Sequence, residues 1–308
     1  MKQFSGVLLI FTSLFLLTSG AKANLKVAAT LTDLGWIAEQ IGGEDVEVVV
    51  LCPGNRDPHY LPAKPSLTKK LSKADLLVYN GLELEIGWLP LLIDAARNPR
   101  IRPGSLGELD CSQAVNNILE VPTSQPDRSQ GDIHPLGNPH YLADPRIAVA
   151  VGFLMAERMA ELDPAAMDRY GQRATDLAVE MESYIQEWER RLTPVREHPI
   201  VIYRKEWEYL AAWLGLEIIG AIEHRPGISP SPRHVEGVVQ RGREMSGVIV
   251  VAAPWDHIDA ARNAANKMGA PLVILPAAVG SLSGVADYWA KLETICRKFE
   301  EAMTIESP

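Results

Sequence analysis

Apolar positions along the chain fall into two patterns. Short runs rich in Val, Ile and Leu predict buried β-strands, and longer stretches with apolar residues every three or four positions predict helices. The predicted strands are Leu25–Ala29, Val46–Leu51, Leu76–Tyr79, Ile200–Tyr203, Glu217–Ile222, Val248–Ala252 and Leu272–Leu275. Predicted helices include Asp33–Ile41, Pro65–Lys73, Trp88–Ala96, Glu206–Leu214, His234–Glu244, Ile258–Met268 and Ala286–Met303. This alternation favours parallel sheets that present ligand groups at the carboxyl ends of their strands.

One long amphipathic stretch separates two such halves. Apolar side chains recur at helical spacing from Tyr170 to Leu192, and residues 165–192 in one helix would be about 42 Å long. We therefore predict an α/β fold with two lobes, each a mostly parallel sheet flanked by helices, joined by this helix, with a ligand cleft between the lobes. The predicted domains are a signal peptide at 1–23, an N-terminal lobe at 24–164, the linking helix at 165–193 and a C-terminal lobe at 194–308.

The N-terminus has the pattern of a secretory signal. Lys2 is followed by an apolar run over residues 7–17, and Ala21-Lys22-Ala23 supplies the small residues that signal peptidase recognises. The first cysteine is Cys52, far from that cleavage site. We therefore expect a periplasmic protein that is secreted through a cleaved signal peptide and carries no lipid anchor.

Composition excludes several classes. Lys and Arg number 30 and Asp and Glu 39, so the net charge is −9, which disfavours non-specific nucleic-acid binding. The chain holds three cysteines, too few for a disulfide scaffold or a four-thiolate metal site, and we expect them to be buried with at most one bridge. Residues 112–133 are polar and turn-rich, which predicts a mobile loop.

Three histidines lie in loops where an open α/β sheet places ligands. Each is next to a proline: Pro58-His59, His134-Pro135 and Pro139-His140. Neutral imidazole suits zinc and several other transition metals, and an adjacent proline restrains the loop that carries it. The spacing alone indicates a metal site only weakly, because a single loop histidine is usually just solvated.

Several motifs together resemble the periplasmic solute-binding proteins of zinc and manganese ABC importers. They are Gly42-Gly43, Asp57-Pro58-His59, residues 71–76 running into 79–85, Gly137-Asn138-Pro139-His140, Asp144-Pro145, Pro226-Gly227-Ile228 and Ser231-Pro232-Arg233. The resemblance implies a monomeric binding protein, not an enzyme, that holds zinc or manganese in the cleft and delivers the ion to a membrane permease. It implies that His59 and His140 are two of the metal ligands.

The sequence departs from this family in the C-terminal lobe. Arg204 stands where the family has its third ligand, usually a histidine, and arginine cannot coordinate a cation. The fourth position, usually Asp, aligns near Ala278. We predict that His134, Glu206 or water completes the set begun by His59 and His140.

Two other hypotheses remain open at this stage. Arg204 and Lys205 would suit a metal chelate or a small anion in the cleft, although Arg204 could equally form a structural ion pair with Glu206 or Glu223. A zinc hydrolase would need a general base such as Glu206 or Asp57, but no catalytic motif supports one.

Overall fold

The computed structural model describes residues 24–122, 134–223 and 227–304. The predicted signal peptide at 1–23 and half of the predicted mobile loop, residues 123–133, lie outside the described residues. No described helix is both long enough and apolar enough to cross a membrane.

The N-terminal half contains four parallel strands in the order β2-β1-β3-β4. These strands are β1 (Leu25–Ala29), β2 (Val46–Val50), β3 (Leu76–Tyr79) and β4 (Glu108–Asp110). Its helices are α1 (Thr32–Gly42), α2 (Pro65–Leu71), α3 (Leu89–Ala96) and α4 (Pro145–Leu162). Strand β4 was not predicted, because its three residues hold only one apolar side chain, Leu109.

The C-terminal half repeats this arrangement with the strand order β6-β5-β7-β8, again all parallel. Its strands are β5 (Ile200–Ile202), β6 (Ile218–Ala221), β7 (Ile249–Ala252) and β8 (Leu272–Ile274). Its helices are α6 (Glu208–Leu214), α7 (Pro232–Arg243), α8 (Ile258–Met268) and α9 (Tyr288–Thr304). The first strand of each half is central, so the loops that follow β1 and β5 open toward the same cleft.

Helix α5 (Met167–Arg191) joins the halves, which confirms the predicted long helix within two residues at each end. Its apolar stripe is buried against α1 and α4, and Trp188 continues it into the C-terminal half. The predicted α/β class and two-lobed architecture are therefore confirmed. The exact domain boundaries stay a prediction.

The two lobes share one apolar core. Helix α9 ends the C-terminal lobe but packs back on the first helix, where Tyr288 stacks on Trp36 with ring centroids 5.3 Å apart. Gly54 lies so close to the carbonyl oxygen of Val279 that any Cβ at this position would overlap it. Cys52, Cys111 and Cys296 are free and buried, as small apolar residues would be.

Candidate metal site

Three imidazoles converge in the cleft. His59 lies in a 3₁₀ turn (Pro58–Tyr60) after β2, and His140 precedes another turn (Tyr141–Ala143) that leads into α4. One ring nitrogen from each of His59, His134 and His140 lies within 4.8 Å of the other two. The structure thus brings together the three histidines that the sequence singled out.

Their spacing suits a single ion. His59 Nε2 and His134 Nε2 are 3.1 Å apart. Two nitrogens bound to one tetrahedral zinc at about 2.05 Å would be about 3.3 Å apart. The His140 ring centroid is 5.3 Å from that of His59 and 6.4 Å from that of His134. The three nitrogens, all within 4.8 Å of one another, would have to draw closer to bind one tetrahedral zinc.

Asp57 orients the His59 ring. Its Oδ1 accepts hydrogen bonds from the backbone N–H of His59 at 3.0 Å and from Nδ1 of the same residue at 2.7 Å. Because the carboxylate accepts a hydrogen bond from Nδ1–H, the lone pair of neutral His59 is on Nε2, the nitrogen that faces His134. Burial opposes ionisation of Asp57, but the hydrogen bonds from His59 and Arg204 outweigh burial and lower its pKa.

Gly137 and Asn138 fix the conformation of the segment that carries His140. Gly137 adopts φ +108°, and a side chain there would clash with Ile118. Asn138 Oδ1 accepts the backbone N–H of His140 at 2.9 Å, while its Nδ2 donates to the carbonyl of Lys205 at 2.8 Å. Burial, reinforced by the neighbouring histidines, holds the pKa of His140 well below its ordinary value. His140 is therefore neutral near pH 7, the form that binds a metal.

Glu206 lies in the same cleft but outside the three-histidine group. It lines the cavity together with His140, and its Oε1 accepts a hydrogen bond from Trp255 Nε1 at 3.0 Å. Its Oε2 is buried and has no hydrogen-bond partner among the described residues. Burial and the nearby Asp256 raise the pKa of Glu206 well above its usual range. The structure therefore brings Glu206 close to the site but does not place it among the convergent ligand atoms.

Arg204 is surrounded by carboxylates. Its NH1 lies 2.8 Å from Asp57 Oδ2, and its Nε lies 3.0 Å from Glu223 and 3.3 Å from Asp256. The ion pair with Glu223 was one of the possibilities left open from the sequence. Lys205 pairs with Glu120. Both cations are thus engaged within the protein, which removes the structural basis for an anion or chelate site built on them.

The fourth family position, near Ala278, also lacks a side chain that could bind a metal. Ala277 and Ala278 line the cleft, and the backbone N–H of Ala278 donates to Ser281 Oγ at 3.3 Å. Trp255 and Asp256, which shape the cleft after β7, were not recognised from the sequence. No sequence pattern links them to Arg204 some 50 residues earlier, because only the sheet topology brings β5 beside β7.

Comparison with known proteins places this arrangement in a family. Residues 27–302 match the family model for the periplasmic zinc-uptake complex component A. The chain belongs to that family. The crystal structure of ZnuA superposes with a TM-score of 0.75 at 24% identity, covering 92% of this chain and all of the other. At that identity the superposition shows a shared fold.

Two curated relatives are named for metals. The metal ABC transporter substrate-binding lipoprotein FimA of Streptococcus parasanguinis is 36% identical over 107 residues, which is 31% of this chain and 35% of FimA. The manganese-binding lipoprotein MntA of Halalkalibacterium halodurans is 23% identical over 231 residues, 74% of this chain and 70% of MntA. The match to FimA thus spans about a third of that protein.

These names correct one expectation from the sequence. We predicted a free periplasmic protein without a lipid anchor, but FimA and MntA are both named lipoproteins. The prediction depended on the absence of a cysteine near Ala23 in a segment outside the described residues. The prediction of no lipid anchor is therefore wrong, whereas the predicted extracytoplasmic location agrees with both names.

Proposed function

We propose that this protein is an extracytoplasmic solute-binding protein that captures a divalent transition metal in the cleft between its lobes. The observation that carries the proposal is the approach of His59, His134 and His140, with one nitrogen of each within 4.8 Å of the others. Each of these partly buried imidazoles gives up hydrogen bonds to water, a loss that convergence on one ion would offset. A metal ion replaces those hydrogen bonds with coordination bonds.

The ligand types favour zinc within the pair of zinc and manganese. Imidazole nitrogen suits zinc, whereas manganese prefers carboxylate, carbonyl and water oxygens. Three histidines and a fourth, open position match the tetrahedral preference of zinc. A manganese alternative would draw on the buried Oε2 of Glu206, which lines the same cavity as His140 and has no hydrogen-bond partner among the described residues.

The ion is cargo in this proposal, and the protein does no chemistry on it. An open zinc with three histidines could in principle activate water, but hydrolysis also needs a free general base. Both oxygens of Asp57 are engaged by His59 and Arg204. Burial and the nearby Asp256 raise the pKa of Glu206, which disfavours the ionised form that a general base needs. These features support binding over catalysis.

Delivery of the ion is the second part of the proposal. The names of the relatives support an ABC importer, and the partner would be its membrane permease. We propose that the protein acts as a monomer whose functional units are the N-terminal lobe at 24–164, the linking helix at 165–193 and the C-terminal lobe at 194–308.

Metal analysis tests this proposal directly. Protein purified from the periplasm or the cell envelope is analysed for bound elements, stripped with a chelator and titrated calorimetrically with zinc and with manganese. We expect one ion per chain. His257→Ala is a matched control, because His257 is an exposed histidine at the start of α8, outside the site. A stripped wild type that binds neither metal, or a stoichiometric organic ligand in the purified protein, contradicts the proposal.

A further inference from the structure

The Asp57 carboxylate carries out two tasks at once. Its Oδ1 holds His59 from within the N-terminal lobe, and its Oδ2 receives Arg204 from the C-terminal lobe at 2.8 Å. The Asp57 side chain is only 14% exposed and that of Arg204 17%. The pair is therefore well shielded from water and spans the cleft immediately beside one of the three histidines.

Arg204 is itself fixed by the C-terminal sheet. It follows β5, while its partners Glu223 and Asp256 follow the neighbouring strands β6 and β7. Those partners are anchored in turn, since Glu223 Oε1 accepts the backbone N–H of Gly227 at 2.9 Å and Asp256 Oδ2 accepts that of Ala253 at 2.7 Å. The guanidinium NH1 donates a hydrogen bond to Asp57, whereas Nε is held by ion pairs with Glu223 and Asp256 that lack hydrogen-bond geometry.

The carboxylates around Arg204 offset its positive charge. Its single positive charge faces the carboxylates of Asp57, Glu223 and Asp256. Burial raises the pKa of Asp256 to about 7, so this group is partly protonated near neutral pH. The two carboxylates of Asp57 and Glu223 still outnumber the single guanidinium of Arg204. The surroundings of His59 are therefore not positive, although an arginine occupies the position of a family ligand.

We propose that Arg204 is a positioning residue for the metal site, and this inference rests on the proposed function. Arg204 contributes no ligand; it reaches across the cleft and holds Asp57, and Asp57 holds the His59 ring with Nε2 directed at the ion. A contact between lobes thus occupies the position where the family resemblance implies a ligand. Mutation of a residue that hydrogen-bonds a metal-binding histidine typically lowers metal affinity by about 10–100-fold.

Cobalt(II) titration tests the inference, because the visible absorption of cobalt reports both occupancy and ligand geometry. Arg204→Met removes the charge but keeps much of the volume, and we expect affinity to fall by about 10–100-fold with an altered spectrum. Arg204→Lys keeps one charged contact and should recover part of the loss. Asp57→Asn should reproduce the loss, and adding Arg204→Met to Asp57→Asn should cost little more, because both changes break the same chain of contacts.

Arg191→Gln is the matched control. Arg191 also binds two carboxylates, Glu293 and Glu300, but it links α5 to α9 and does not line the cleft. Its loss can lower stability without changing the cobalt spectrum. If Arg204→Met does not fold, Asp57→Asn, which keeps the size and shape of the side chain, carries the test alone.

The outcomes separate this inference from the proposed function. A wild type that binds no cobalt or zinc overturns the proposed function, and this inference with it. A wild type that binds while Arg204→Met and Asp57→Asn keep its affinity and spectrum overturns only the positioning role. Tighter binding by Arg204→Met also overturns that role, because it would mean that the guanidinium repels the ion.

Discussion

The ammonium group of Lys291 lies 2.8 Å from the carboxylate of Asp33, and the two side chains are only 2% and 3% exposed. The residues are 258 positions apart, in the last helix and the first. Lys291 also donates to the carbonyl of Leu142 at 3.2 Å, and its ammonium lies 4.8 Å from the centroid of the Tyr288 ring. This buried pair therefore fastens the C-terminal helix of one lobe to the N-terminal helix of the other.

Breaking that pair should destabilise the protein strongly. Lys291→Met leaves the Asp33 carboxylate buried without its counter-ion, which typically costs about 3–5 kcal/mol. Urea unfolding followed by circular dichroism measures the change. The double variant Asp33→Leu/Lys291→Met removes both charges and should regain most of the loss. If Lys291→Met changes the free energy of unfolding by less than about 1 kcal/mol, the pair is not the fastening that its burial indicates.

Removal of single histidines should empty the metal site and spare the fold. His59→Ala, His134→Ala and His140→Ala each delete one of three nitrogen ligands, and we expect zinc affinity to fall at least a hundredfold, about 2.7 kcal/mol. All three residues lie in loops or short turns, so little core packing is lost. Competition with a chromophoric chelator measures the affinity. A His59→Ala/His140→Ala protein that titrates like the wild type would show that the metal binds elsewhere.

Glu85 predicts a specific pH dependence of stability. This carboxyl is buried in the N-terminal lobe, where it accepts hydrogen bonds from Thr30 Oγ1 at 2.7 Å and from the backbone N–H of Asn80 at 2.7 Å. Burial raises its pKa from 4.5 to about 7. Between about pH 4.5 and pH 7 the folded state therefore keeps a proton on Glu85 that the unfolded state releases. The stability that this bound proton contributes is lost as the pH rises from about 4.5 to 7.

Glu85→Gln checks this effect. A glutamine keeps the carbonyl that Thr30 and Asn80 need but does not titrate, so the variant should lose the corresponding fall in unfolding free energy. The full effect is about 3 kcal/mol for a shift of about 2.5 pKa units. Chelator-stripped wild type and variant are unfolded in urea at pH 5 and pH 8. Identical changes with pH in the two proteins would mean that Glu85 ionises normally in the fold.

Metal binding should change the overall shape very little. Helix α5 spans 25 residues, about 37 Å, and direct contacts already join the lobes without metal. One of them is the hydrogen bond from Thr32 Oγ1 to the carbonyl of Val279 at 2.8 Å. Small-angle scattering of the stripped and zinc-loaded protein should give the same radius of gyration. A clear decrease on loading would indicate hinge closure and contradict this expectation.

Most of the fold could be predicted from the sequence, because its elements are local patterns. Strand β1 and helix α8 begin and end at the predicted residues, since an apolar run or stripe is sufficient to define each. Helix α6 begins at Glu208, two residues later than predicted, because Arg204 and Glu206 point into the cleft and their backbone forms turns. Tertiary contacts of single side chains thus decided such boundaries.

The candidate ligands were also visible in the sequence, since His59, His134 and His140 each stand beside a proline in a loop. Their distances were not, because two loops separated by about 75 residues meet only through the order of the strands. The role of Arg204 depended wholly on the tertiary structure. In the sequence, a lone arginine in place of a ligand indicated that this position cannot coordinate a metal, and only the folded chain brings Asp57, Glu223 and Asp256 around it. Charge at a site is a sum over neighbours in space, and the order of residues along the chain does not contain that sum.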